Sequence, residues 1–187
     1  FLVAGLLCVV CAVLVSGSAV SLRPQQEANK VLDVKKNLLL AAGLIEGNPT
    51  AKQIDEAFTK IETVLVDLET GDIVEDMDPA NYDVKAAAKD PKLAVSIPAD
   101  QDLAKIKTRG KYGKVYFYKP QGEVEMVILP IHGKGLWSTL WGFIALSNDL
   151  NTIKGIGFYE HGETPGLGGE VDNPRWKAIW SGKKLYN

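Results

Sequence analysis

From Phe1 to Leu22 the chain carries no charged residue. At about 1.5 Å rise per residue a helix over this stretch reaches roughly 30 Å, the thickness of a bilayer's hydrocarbon core. The stretch is therefore expected to cross a membrane as one helix. A secretory signal is the competing reading, because Gly17-Ser18-Ala19 has the small residues of a cleavage site, but the apolar run exceeds the usual core of about 7–15 residues. Ala4, Cys8, Ala12 and Ser16 recur on one helical face, a small-residue ridge suited to close packing in a membrane, and lipid-facing composition explains it nearly as well. The segment offers no ionisable side chain to an ion crossing the bilayer.

Past Leu22 the sequence turns polar at once, through Arg23-Pro24-Gln25-Gln26-Glu27. Ala28, Val31, Leu32, Leu38, Leu39 and Ala42 then fall at roughly helical spacing, so the helix is predicted to continue to a stop at Gly43, with Pro24 as a point of kinking. Arg23, Lys30, Lys35 and Lys36 would by themselves favour a cytoplasmic side for the domain beyond them. The opening at Phe1 rather than Met and the stop at Asn187 are read as truncation at both ends.

The rest of the 187 residues suffices for one compact domain. Thr50-Ala51-Lys52-Gln53 has the form of a capping box, with Ile54, Ala57, Phe58 and Ile61 assigned to one helical face. Thr63 to Leu68 reads as a strand closed by the turn Glu69 to Asp72. Asp76 to Arg109, rich in Lys, Asp and Ala and broken by prolines, is expected to form surface helices with a solvated face. From Lys114 the period changes to two. Val115–Tyr118 and Glu123–Leu129 are predicted as a hairpin, followed by strands Leu140–Leu146 and Thr152–Tyr159, with a helix opening at Asn173-Pro174. The predicted class is α+β: a single N-terminal transmembrane helix, then an antiparallel-sheet domain with flanking helices.

Chemistry is expected at two glycine-rich stretches. His161-Gly162-Glu163-Thr164-Pro165-Gly166-Leu167-Gly168-Gly169 could be a cradle of backbone N–H groups or an ordinary connecting turn. It is not a dinucleotide fingerprint, because Val171 stands where the third glycine belongs and the neighbours are antiparallel; nor is it a P-loop, since no Gly-Lys-Ser/Thr follows. The second stretch, His132-Gly133-Lys134-Gly135-Leu136-Trp137-Ser138-Thr139-Leu140-Trp141, reads as a turn whose two tryptophans either stack on a flat heteroaromatic ligand or fill the core. His132 and His161 with Glu163 lack the spacing of a metal site. Cys8 and Cys11 are the only cysteines, so neither a cysteine zinc site nor an iron–sulfur cluster can be built, and no Gly-x-Ser-x-Gly nucleophile occurs. A formal charge of −2 gives no case for nucleic acid.

Gly135-Leu136-Trp137-Ser138, Gly162-Glu163-Thr164-Pro165-Gly166-Leu167-Gly168-Gly169-Glu170-Val171 and Asn173-Pro174, behind an N-terminal anchor, together resemble the NqrC family, members of the sodium-translocating NADH:quinone oxidoreductases. The RnfG proteins of the Rnf-type complexes, which are ferredoxin-linked, share the domain. The resemblance implies an electron carrier of a multisubunit redox pump in a bacterial inner membrane, with segments 1–22 spanning, 23–43 as a juxtamembrane helix and 44–187 as a periplasmic FMN-binding domain incomplete at its C-terminus. It implies FMN attached through its phosphate to a threonine of a Ser-Gly-Ala-Thr motif. That motif does not occur between Phe1 and Asn187, so the threonine is expected beyond Asn187. It implies cofactor contacts at Trp137, Ser138, Thr164, Pro165, Gly166, Leu167 and Gly168, where valine in place of Gly168 would push into the space of the ring. It implies other redox subunits and the membrane as partners, and no metal. A membrane-anchored periplasmic binding or assembly module without a redox centre is the reading from a different class.

Overall fold

The computed structural model describes residues 1–186; Asn187, the last residue of the expected 44–187 domain, lies outside the described residues. The chain divides into two compact units, Phe1–Val34 and Lys35–Asn187. The first unit lies in helix α1, Leu2–Ala41, which runs through Pro24 without interruption. It is the one helix among the described residues long and apolar enough to cross a membrane. Its hydroxyls are satisfied within the helix, as a lipid-facing surface requires: Ser16 Oγ donates to the Ala12 carbonyl at 2.6 Å and Ser18 Oγ to that of Leu14 at 2.8 Å.

The last turns of α1 belong to the second unit. Gly43, at φ +68°, ends the helix in a left-handed turn: its N–H donates to the Leu40 carbonyl at 3.1 Å and that of Leu44 to Leu39 at 2.9 Å. Helix α2, Ala51–Phe58, carries the expected capping box on Thr50 and Gln53 and buries Ile54. It stops before Ile61, which opens strand β1, Ile61–Asp67, instead of extending the helical face. The physical reason is pairing, because Ile61 lies opposite Tyr118 and the β-branched Thr63, Val64 and Val66 continue the ladder.

Five strands form one antiparallel sheet in the order β1-β4-β5-β6-β7, with β4 Tyr112–Tyr118, β5 Met126–Lys134, β6 Thr139–Ser147 and β7 Ile153–Glu160. The predicted meander is present, but β5 continues well past Leu129. Pro130 is tolerated there because β4 pairs with β5 only from Met126 to Ile128, so beyond Ile128 the β4 side of β5 is a local edge needing no N–H. His132, Gly133 and Lys134, expected in a turn, extend the strand opposite Trp141, Leu140 and Thr139. The turn itself shrinks to 135–138, closed by the Gly135 N–H on the Ser138 carbonyl at 2.7 Å.

Asp76 to Arg109 keeps most of its charged residues exposed, as expected, but only two short helical turns form in it. It holds a 3₁₀ turn at Pro79–Asn81, the short helix α3 at Val84–Ala87 and a two-stranded sheet of β2, Ala94–Ser96, with β3, Thr108–Gly110. Tyr82 and Ala87 are buried against Leu65. Asp78 and Asp83 cap the two short helical turns and stay exposed, so capping and a solvated face coexist in the same residues.

Both faces of the main sheet are covered, which is why β6 is buried from Gly142 to Leu146. On one face Ile144, Leu146 and Ile153 pack with Leu129, Ile131 and Trp180, from the segment after α4, Pro174–Ala178. On the other, Phe143 and Ala145 lie beside Gly157 and Gly155, and a Cβ on Gly157 would sit 3.3 Å from that of Ala41 at the end of α1. The fold is an α+β antiparallel sheet with flanking helices behind a long apolar N-terminal helix.

Candidate functional site

Two chain reversals project beyond strands β5, β6 and β7, and a single carboxylate joins them. The first is the 135–138 turn between β5 and β6. The second, 161–169, leaves β7 and ends in a 3₁₀ turn, Gly168–Asp172. Within it Thr164-Pro165-Gly166-Leu167 is a β-turn: the Leu167 N–H donates to the Thr164 carbonyl at 3.1 Å, and Gly166 takes φ +76°, the conformation such a turn demands at that position. The Gly169 N–H reaches the same carbonyl at 3.0 Å.

Glu163 is the buried charged residue at the centre, 9% exposed. Its Oε1 accepts the N–H groups of Trp137 and Ser138, each at 3.1 Å. In return Ser138 Oγ accepts the Gly162 N–H at 2.6 Å. A Cβ on Gly135 would lie 2.4 Å from Glu163 Oε1, and one on Gly168 would lie 2.7 Å from Oε2. Glycine is required on both sides because the carboxylate occupies that space. Valine at Gly168 would in addition press on Glu163.

Burial pushes the Glu163 carboxyl upward, but the N–H groups of Trp137, Ser138 and Leu136, with His161 nearby, outweigh it and hold the group below its ordinary value. A depressed folded value contributes stability above the unfolded range near pH 4, lost as pH falls through the folded value. The melting-temperature gap between wild type and Glu163→Gln is thus expected to be full at pH 6 and to close on acidification below about pH 4. A constant gap across that window would show that the charge is not what clasps the turns.

Of the residues expected at the site, Trp137 and Ser138 come from the first turn and Thr164, Pro165, Gly166, Leu167 and Gly168 from the second; the clasp brings the two sets together. Leu136, Trp137 and Leu167 project to solvent at 80%, 70% and 73% exposure. The pairing of Trp137 with Trp141 does not form. Trp141 stacks on His132 at 4.5 Å between ring centroids, and Lys85 Nζ stands 4.2 Å from its ring centre. Both partners lie against the ring. His132, His161 and Glu163 do not converge: His132 stacks on Trp141, whereas the His161 ring bonds Asp172 and the Glu163 N–H, and the Glu163 carboxylate is taken up by backbone N–H groups. Sequence reasoning missed Glu163 and Gly135 as the joint of the site. The available signal was a lone carboxylate bracketed by Gly162 and Gly168, with another glycine ahead of Trp137.

The model of an FMN-binding domain matches residues 135–186, so the matched interval begins at the glycine that Glu163 abuts. Over its full length the chain is 50% identical to the NqrC protein of the Na(+)-translocating NADH-quinone reductase of Pseudomonas aeruginosa, covering 72% of that protein. The chain belongs to this NqrC family. The corresponding reductase protein of Haemophilus ducreyi is 48% identical over 97% of this chain and 70% of its own length. The crystal structure of NqrC from Shewanella oneidensis superposes with a TM-score of 0.77 at 36% identity, over 86% of this chain and 73% of that one. NqrC relatives thus share the antiparallel-sheet domain that carries the two clasped turns.

An FMN ring presents flat apolar faces and a polar edge. The exposed Leu136, Trp137 and Leu167 supply apolar contact, and the glycine-bearing backbone between them admits a close approach without Cβ atoms. At Gly166 nothing lies within 4 Å of the Cβ position. The residues present fit the group.

Proposed function

We propose that this chain is the FMN-bearing, electron-carrying NqrC component of a sodium-pumping NADH:quinone oxidoreductase. The observation that carries the reading is the Glu163 clasp, which fixes two glycine-rich turns and their exposed apolar side chains inside the interval matched by the FMN-binding domain. Bound FMN supplies one-electron transfer between neighbouring redox centres. The chain's own part is to hold and shield the ring: Trp137, Leu167 and Pro165 offer apolar contact, Ser138 braces the loop through Gly162, and Thr164, Gly166 and Gly168 set the backbone of its rim.

In this reading residues 1–22 cross the inner membrane, 23–43 continue as a juxtamembrane helix, and 44–187 belong to a periplasmic domain whose FMN is joined through phosphate to a threonine beyond Asn187. The partners are the other subunits of the membrane complex. NqrC relatives at up to 50% identity favour this over the Rnf-type protein and over a module without a redox centre.

The test is the intact mass of the full-length protein, made in cells that attach flavins, with in-gel fluorescence after denaturation. The expected result is added mass equal to FMN less water, with fluorescence that survives denaturation. Bare polypeptide mass together with no flavin retained in the native protein would overturn the reading; flavin retained natively but released on denaturation would remove the covalent link alone.

A further inference from the structure

His161 is held at both ring nitrogens. Nδ1 accepts the Glu163 N–H at 3.2 Å and so carries no proton; Nε2 then bears the ring proton and donates it to Asp172 Oδ2 at 2.7 Å. One imidazole therefore ties the residue that clasps the two turns to the far end of the 3₁₀ turn. Its side chain is 14% exposed. It borders an open cleft of about 640 Å³ shared with Asn37, Phe158, Glu160, Asp172 and Lys177, so protons can reach it.

We propose that His161 is a proton-controlled positioning residue for the flavin loop, an inference that rests on the function proposed above. The neutral Nε2–H tautomer fixes Glu163. A proton taken up at Nδ1 from the cleft turns that acceptor into a donor facing the Glu163 N–H, and the bond is lost. Glu163 then keeps its carboxylate bonds to Trp137 and Ser138 but loses the anchor of its own backbone.

The charges around the ring set the balance. Asp172 supports the imidazolium and is shared with Lys177 at 3.4 Å, while Glu160 is drawn away by Lys85 at 2.6 Å. The Glu163 carboxylate is turned to the 135–138 turn, and Asn37 is the neutral group that α1 contributes to the cleft.

The experiment is hydrogen exchange by mass spectrometry over residues 162–170 of the flavin-free full chain in detergent, with rates corrected for the intrinsic effect of pH. Wild-type protection is expected to fall about tenfold between pH 8 and pH 5.5. His161→Asn should keep protection flat with pH, because an asparagine Oδ1 can accept the N–H two residues on. Asp172→Asn, still able to accept from Nε2, should move the transition to lower pH by removing the anionic partner of the imidazolium. Equal pH dependence in wild type and His161→Asn, or no movement in Asp172→Asn, would overturn the latch. The same pH series on the flavin-loaded protein, read as flavin absorbance and midpoint potential, separates the two ideas. Exchange that responds to pH while absorbance and the pH slope of the potential are the same in wild type and His161→Asn would leave the latch standing and remove the flavin from this loop.

Discussion

Replacing Glu163 with alanine should release the two glycine-rich turns from each other and weaken their noncovalent hold on the flavin ring on the order of tenfold. The alanine leaves the N–H groups of Trp137 and Ser138 without the carboxylate that accepts both at 3.1 Å, and leaves an empty space between Gly135 and Gly168. The apparent melting temperature of the domain should fall by roughly 5 °C, since a buried network with one partner removed costs more than the bonds contributed. Gly168→Val should reproduce this loosening with the carboxylate still present, because its Cβ would stand 2.7 Å from Oε2 and 3.0 Å from the Glu163 Cβ. The check is iodide quenching of flavin fluorescence, which a covalent tether does not mask, beside a thermal melt. Wild-type quenching in Glu163→Ala would show that the clasp does not shape the cofactor site.

Gly155→Ala should damage the fold itself. A Cβ at Gly155 would lie 2.2 Å from the Ala41 carbonyl oxygen, which is backbone at the end of α1 and cannot swing aside. Either α1's last turn lifts from β7 or the strand bends. Overpacking of this kind costs about 3 kcal/mol, or roughly 6–12 °C in melting temperature for a domain of this size. Gly122→Ala serves as the control, since no atom lies within 4 Å of its Cβ position and only its left-handed backbone, φ +89°, is penalised. Equal melting temperatures for Gly155→Ala and Gly122→Ala would show that α1 is not seated on β7 as described.

Much of this was legible in the residues because it was local. The capping box at Thr50, the proline after Asn173 and the left-handed stop at Gly43 each depend on neighbours within a few positions. Strand periodicity from Lys114 onward announced the meander for the same reason. The misplaced elements depended on partners distant in sequence. Ile61 left the helical pattern because Tyr118 pairs with it. Pro130 and His132 stayed in β5 because β6 holds one edge while β4 has turned away. Tyr82 entered the core because Leu65 is there to receive it.

The candidate site divides along the same line. Sequence alone determined the long uncharged span, the two glycine-rich stretches and the motif residues by which the chain resembles its family, since each is a property of consecutive residues. It could not say that Glu163 would spend its carboxylate on Trp137 and Ser138, residues 26 and 25 positions earlier, or that His161 would join it to Asp172. The two carboxylate bonds exist only because β6 and β7 run antiparallel and bring the two turns together. A buried carboxylate takes whichever N–H groups the fold places within reach, and that choice belongs to the tertiary structure.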